Sequence, residues 1–179
     1  MDFYDMHTHI LPGIDDGSET VQNSVLMLEC LKKQGVTNVC FTPHMYSQET
    51  SIDDFLTLRQ NAFEQLKPHL PDGMSFCLGA EVFVTDFLFN NDNINRLCYG
   101  DSEFMLTEFS YTSEFQGRSY RQLCKLINGY SITPVIPHIE RYPALMKSSE
   151  LRNELKDMGV IFQTNMRSFE DFKRRIKLC

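Results

Sequence analysis

A chain of 179 residues that is 42% apolar, with 14 phenylalanines, is long enough to bury a core and too apolar to stay unfolded, so one globular domain is expected. A net charge of −7 argues against a nucleic-acid binder, because the one cationic run, Lys173-Arg174-Arg175-Ile176-Lys177, reads as a solvated helix face. No apolar stretch is long enough to span a bilayer, and the acidic, polar start lacks the character of a secretory signal, so a cytoplasmic protein is expected. Cys30, Cys40, Cys77, Cys98, Cys124 and Cys179 form no CxxC pair and are expected to be reduced and mostly buried. The sequence has no GxSxG elbow, Walker A motif or GxGxxG, and no cysteine is followed by an arginine six positions on. Metal chemistry is left.

The first strand, residues 3–9, ends in His7-Thr8-His9. Side chains two apart on a strand share a face, so both imidazoles can reach one ion. Asp15-Asp16-Gly17 follows, and Ser18 then reads as the N-cap of a helix with Val21, Val25, Leu28 and Leu31 inward and Gly35 at its end. A second strand, 36–44, ends Thr42-Pro43-His44. The helix after Ser51 turns Phe55, Leu58, Ala62 and Leu66 inward until Pro68 stops it, and His69 falls in a proline-bounded loop away from any site. Strand three, 75–84, carries Glu81 in an otherwise apolar run, and a helix is expected over 85–97. Strand four, 103–110, carries Glu108 in the same way and leads to a helix over 117–128. Strand five, 132–139, ends Pro137-His138 and runs on to Glu140-Arg141; a helix over 143–158 closes at Gly159 before a sixth strand, 160–164.

Repeated strand–helix units indicate a parallel sheet with helical crossovers, and either a barrel or an open doubly wound sheet satisfies that period. Function in such folds gathers at the C-terminal ends of the strands. A lone histidine at a strand end is more often structure than ligand, whereas a lone glutamate in an apolar strand is costly unless paired or bound to a cation. Here five of six strands finish with a His or a Glu, which points to one shared site. Imidazole and carboxylate without thiolate suit Mn²⁺, Fe²⁺ or Zn²⁺. Converging carboxylates would repel one another unless more than one ion were present, and Glu81 is then a natural bridge. Multinuclear sites suit phosphoester hydrolysis, since the metals generate hydroxide at neutral pH and neutralise the phosphoryl oxygens.

Taken together, His-x-His, Asp-Asp-Gly, Thr-Pro-His, Gly-Ala-Glu, Glu-Phe-Ser and Pro-His-Ile-Glu-Arg resemble the PHP (polymerase and histidinol phosphatase) superfamily. Within it the chain is most similar to the metal-dependent protein-tyrosine phosphatases of bacterial capsular and exopolysaccharide loci, from Asp5 to about Asn165. The resemblance implies a distorted (β/α)7 barrel whose site lies at the C-terminal ends of parallel strands and holds up to three metals, usually manganese. It implies His7, His9, Asp16, His44, Glu81, Glu108 and His138 as ligands, with Asp16, next to Gly17, fitting better than Asp15. Arg141 resembles the arginine that grips the phosphate, a task suited to its planar fork; an ion pair with Glu140 is its structural alternative. The implied substrate is a phosphotyrosine on the tyrosine kinase that controls polysaccharide assembly.

The family also has a strand ending in Asp-x-His, and no such motif follows Gln163-Thr164-Asn165. Instead Ser168-Phe169-Glu170-Asp171-Phe172 reads as a helix start, with Phe169, Phe172 and Ile176 inward, and the sequence ends at Cys179. The expectation is a PHP-type barrel lacking its last strand, that strand's two ligands and a downstream arginine. Fewer than three metals would then bind, and the open edge would favour self-association. The function expected is that of a metal-dependent protein-tyrosine phosphatase. Two alternatives stay open: a catalytically impaired remnant binding metal or phosphopeptide, and a small-molecule phosphatase of histidinol-phosphatase type.

Overall fold

The computed structural model describes residues 2–169. Strand β1 (Phe3–Thr8) and helix α1 (Val21–Lys33) precede β2 (Val36–Phe41) and β3 (His44–Tyr46). Helix α2 (Ile52–Leu66) leads to β4 (Ser75–Leu78) and β5 (Glu81–Phe83), then β6 (Phe104–Glu108) and α3 (Arg118–Tyr130). The described chain continues through β7 (Thr133–Ile136), α4 (Pro143–Lys147), α5 (Ser149–Asp157) and β8 (Ile161–Phe162). Every strand pairing is parallel, in two sheets of order β1-β2-β4 and β3-β5-β6-β7-β8.

The expected strands 36–44 and 75–84 are each broken in two, and the breaks lie side by side. Pro43 has no N–H to give a ladder, but its carbonyl accepts the Glu81 N–H at 3.0 Å. Opposite it, the Gly79 N–H donates to the Phe41 carbonyl at 2.8 Å. A Cβ at Gly79 would stand 2.9 Å from the Tyr99 ring, so the chain bends where only glycine fits. The two breaks carry β2 into β3 and β4 into β5, joining both sheets into six successive strand paths. Among the described residues β1 pairs only with β2 and β8 only with β7, so no strand pair closes the sheet into a barrel.

The helices deviate from expectation for local reasons. Thr20, not Ser18, caps α1 by accepting from the Asn23 N–H; Ser18 is buried and its hydroxyl donates to the Thr20 carbonyl. Phe55, Ala62 and Leu66 of α2 are buried as expected, but Leu58 is 56% exposed. Helix α2 is turned so that Arg59 reaches the Gly79 carbonyl at 2.7 Å, which leaves Leu58 outside. The helix expected over 85–97 is two 3-10 turns, Asp86–Asn90 and Ile94–Leu97, because the intervening Asn and Asp side chains compete for the backbone. Asn91, for one, donates to the Leu88 carbonyl. The helix expected over 143–158 divides at Ser148, whose hydroxyl caps α5 through the Leu151 N–H. The helix expected beyond Ser168 lies outside the described residues, apart from a 3-10 turn at Met166–Phe169.

The largest core cluster packs α2 to α5 on the second sheet around Met45, Val82, Phe115, Leu126 and Tyr142. Leu28 and Leu66 meet Phe41 on the first sheet. A small third cluster joins Cys40, Tyr99 and Leu106, with Cys77 and Val135 against them. The expectation of six unpaired thiols fails here. Cys40 and Cys77 are register partners on β2 and β4, 4.8 Å apart at Cα, and form a disulfide. Cys30 is exposed rather than buried, while Cys98 and Cys124 are free. No helix among the described residues is long and apolar enough to cross a membrane.

Tyr142 ties the chain after β7 to the end of β6. It is fully buried, and its hydroxyl accepts the Phe109 N–H at 3.0 Å while donating to the Phe109 carbonyl at 3.2 Å. Tyr142→Phe would leave two buried backbone groups unpaired, an expected loss of about 1–3 kcal/mol. Urea unfolding should show a lower midpoint at unchanged slope; an unchanged midpoint would contradict the bracket.

Candidate functional site

The chain leaves β1 after Thr8 and folds a tight loop back onto His9. The Ser18 N–H donates to the His9 carbonyl, and a Cβ at Gly17 would lie 2.1 Å from that oxygen, so only glycine allows the approach. This loop delivers two adjacent acids to different places. Asp15 turns inward: its carboxylate lies 2.6 Å from His9 Nδ1 and accepts the N–H groups of Gly17 and His44. Asp16 turns outward with its side chain 83% exposed, its Oδ1 3.6 Å from His44 Nε2.

Glu81 occupies the centre. It opens β5 directly opposite His44, which opens β3, and only 1% of it is exposed. Its Oε2 lies 3.0 Å from His7 Nε2, 3.2 Å from His9 Nε2 and 3.3 Å from His44 Nδ1. Its Oε1 lies 2.8 Å from Nε2 of His138, which adopts a left-handed conformation just after β7. Glu108, the last residue of β6, stands 3.7 Å from the same His138 nitrogen and accepts the Tyr111 hydroxyl at 2.7 Å. That hydroxyl accepts in turn from Arg141 Nη1 at 3.0 Å.

Glu140 is not the partner of Arg141. It accepts the hydroxyls of Thr164 and Ser168 and the Asn165 N–H instead. All eight residues singled out in the sequence line one cavity of about 590 Å³. Sequence reasoning passed over Asp15, Tyr46, Phe83, Tyr111 and Gln163. Gln163 follows β8, where other strands end in His or Glu; its Oε1 accepts the His138 N–H and lies 3.4 Å from His7 Nδ1. That position was the available signal.

The charges are mutually dependent. Burial alone would push the Glu81 carboxyl up, but hydrogen bonds from His138, His7 and His9 hold it far below the carboxylate range. Burial opposes a charged His9, yet Asp15 and Glu81 overcome it and push the imidazole up to about 10. Burial likewise works against an ionised Asp15, which His9 and two backbone N–H groups nevertheless hold low. Burial, reinforced by Glu108 and Glu81, pushes the Tyr46 hydroxyl up to about 12.

The donor set fits divalent cations. Two ring nitrogens, His7 Nε2 and His9 Nε2, face each other at 3.2 Å, a contact that needs a shared proton or a cation between acceptors. Buried Nδ1 atoms of His44 and His138 have no hydrogen-bond partner, and the 3.3 Å approach of His44 to Glu81 lacks hydrogen-bonding geometry. Three groups could each hold an ion: His7, Glu81 and His138; His9, Asp16 and His44; and His44, Glu81 and Glu108. Within each group the donor atoms lie within 4.8 Å of one another. Nitrogen and oxygen donors of this kind suit borderline ions.

Comparison with known proteins agrees with this picture. The family model for capsular polysaccharide synthesis proteins CpsB/CapC matches residues 3–172. The tyrosine-protein phosphatase CpsB of Streptococcus pneumoniae is 33% identical over 171 residues, covering 90% of this chain and 66% of the relative. CpsB of Streptococcus agalactiae serotype V is 28% identical over 97% of this chain and 74% of its own. The chain thus spans about two thirds to three quarters of these relatives. Among solved structures, one of YwqE from Bacillus subtilis and CpsB from Streptococcus pneumoniae, described as unique metal-dependent tyrosine phosphatases, superposes with a TM-score of 0.76. It is 22% identical over 98% of this chain and 73% of that chain, a likeness of fold.

The linked charges give the metal-free protein a defined pH response. Glu81, held low, adds stability that is complete above 4.5 and is lost as the pH falls toward its own value. His9, held up, adds stability that is complete below 6.5 and is lost as the pH climbs through about 10. Chelator-treated protein is therefore expected to draw most stability from this cluster between about pH 4.5 and 6.5 and to melt progressively lower toward pH 10. A melting temperature that rises steadily over that upper range would contradict the assignment.

Proposed function

The chain belongs to the CpsB/CapC family of capsular polysaccharide synthesis, and from that premise we propose that it is a metal-dependent protein-tyrosine phosphatase. The observation that carries the reading is the buried Glu81 carboxylate, met by four imidazoles at the base of a cavity that Arg141 also lines. In this reading the fold is a distorted PHP-type barrel opened between β1 and β8. His7, His9, Asp16, His44, Glu81, Glu108 and His138 hold divalent ions, manganese first with iron or zinc as alternatives, and Glu81 is shared between positions. The protein works in the cytoplasm, and its substrate is a phosphotyrosine on the tyrosine kinase that controls polysaccharide assembly. Phe3, Tyr4 and Met6 on β1 and Ile161 on β8 are exposed, which supports self-association at the open edge as part of the same proposal.

When bound, divalent ions supply the Lewis acidity and the lowered water pKa that phosphoester hydrolysis requires. The chain's own residues do the rest. Asp15 faces His9 Nδ1, fixing the ring so that Nε2 points at Glu81. Tyr111, anchored on Glu108, holds the Arg141 fork at the cavity, where it can pair with two phosphoryl oxygens. Tyrosinate is a fairly good leaving group, so a strong general acid is not required. A second reading, binding of metal or phosphopeptide without turnover, is favoured by one observation: among the described residues no strand stands between β8 and β1 to add donors there.

A chromogenic aryl phosphate separates these readings. Turnover is expected with Mn²⁺ and is expected to vanish with chelator. Glu81→Gln should lose both bound metal and turnover. Arg141→Ala should keep its metal but bind phosphate roughly tenfold to hundredfold more weakly, the loss of charge-assisted hydrogen bonds. Retained metal without turnover in the unaltered protein would sink the enzyme reading, and retained metal in Glu81→Gln would sink the bridging role.

A further inference from the structure

Tyr46 and Phe83 line the same cavity as the metal-binding candidates but belong to none of the three core clusters. Core packing therefore does not account for two large rings placed there. Their position follows from strand register. On the parallel neighbours β3 and β5, His44 pairs with Glu81 and Tyr46 with Phe83. Side chains two apart share a face, so Tyr46 stands beyond His44 and Phe83 beyond Glu81. A row of rings thus lies about 6.6 Å farther toward the strand ends than the row of donors.

The rings form a continuous surface. Tyr46 and Phe83 have centroids 5.9 Å apart with planes tilted by 45°, and Tyr46 stacks on the His44 imidazole at 5.5 Å. Both are half-buried, and both line the cavity. Phe83 is also the register partner of Glu108, so this aromatic wall adjoins the Glu108–Tyr111–Arg141 chain of hydrogen bonds. In an aryl phosphomonoester a single oxygen separates phosphorus from ring. A phosphoryl group held at the donor row and Arg141 would therefore bring its aryl ring to the height of the aromatic row. An alkyl ester would offer only a flexible chain there, with no π surface to match.

We propose that Tyr46 and Phe83 form a ring slot that makes this site selective for aryl over alkyl phosphomonoesters. The proposal rests on the phosphatase reading above and names the residues that would choose its substrate. The slot acts in binding, so it does not depend on turnover.

Calorimetric titration of the manganese-loaded full chain with inorganic phosphate, O-phosphotyrosine and O-phosphoserine tests it. The unaltered protein is expected to bind phosphotyrosine roughly tenfold more tightly than phosphoserine. Tyr46→Leu and Phe83→Leu keep apolar bulk in the wall while removing a ring. Together they should bring that ratio close to one, with inorganic phosphate as the reference ligand. Tyr46→Phe, which keeps the ring, should preserve the ratio. Equal binding of the two phosphoamino acids by the unaltered protein would overturn the slot, and this arm needs no variant to fold. A ratio that survives in a folded double leucine variant would also overturn it. Failure of the loaded, unaltered protein to bind any phosphate would instead overturn the phosphatase reading on which the slot rests.

Discussion

A buried carboxylate surrounded by imidazoles is the constraint on which the rest of this molecule turns. Taking Glu81 out of water costs several kcal/mol unless opposite charge meets it, and four histidines from three separate segments of the chain surround the carboxylate. Protons on the rings or cations between them can balance that charge, but the carboxylate cannot stand alone. The ends of β1 and β7 and the starts of β3 and β5 must therefore converge, whichever of the two supplies the balance.

The backbone makes that convergence by breaking two strands at the same level. Pro43 and Gly79 interrupt β2–β3 and β4–β5, and the hydrogen bonds across the breaks keep the register that sets His44 beside Glu81. Gly17 permits the loop after β1 to press against His9, and Tyr142 fastens the chain after β7 to the end of β6. The neighbours Glu140 and Arg141 divide the work beyond β7. Glu140 holds the turn after β8 by its hydroxyls and backbone, while Arg141 is held by Tyr111 at the cavity. Gln163, at the open side of the sheet, spans from His138 toward His7.

Much of this was legible in the sequence because single His and Glu residues at the ends of apolar runs contradict their surroundings. The parallel class, helices α1 to α3 and the gathering of His7, His9, His44, Glu81, Glu108 and His138 in one cavity followed from that contrast and from periodicity, whereas Asp16 and Arg141 were singled out by the family likeness. The family likeness came from the order of the motifs, and the match over residues 3–172 bears it out. What stayed hidden depends on contacts distant in sequence. Cys40 and Cys77 are 37 residues apart, and only strand register makes them partners. Adjacent acids, Asp15 and Asp16, have the same local pattern, yet a loop sends one inward and the other to solvent. Leu58 fits an inward helical spacing until Arg59 draws the helix round toward Gly79. Thr20 and Ser18 are equally good caps on paper; the burial of Ser18 decides between them.

Diffraction from manganese-loaded crystals, recorded for anomalous scattering, addresses the shared carboxylate most directly. The account predicts density for ions bonded to both oxygens of Glu81, one flanked by His7 and His138 and another by His44. Ions found only elsewhere, with Glu81 still held by imidazoles at the present 2.8 to 3.3 Å, would contradict it.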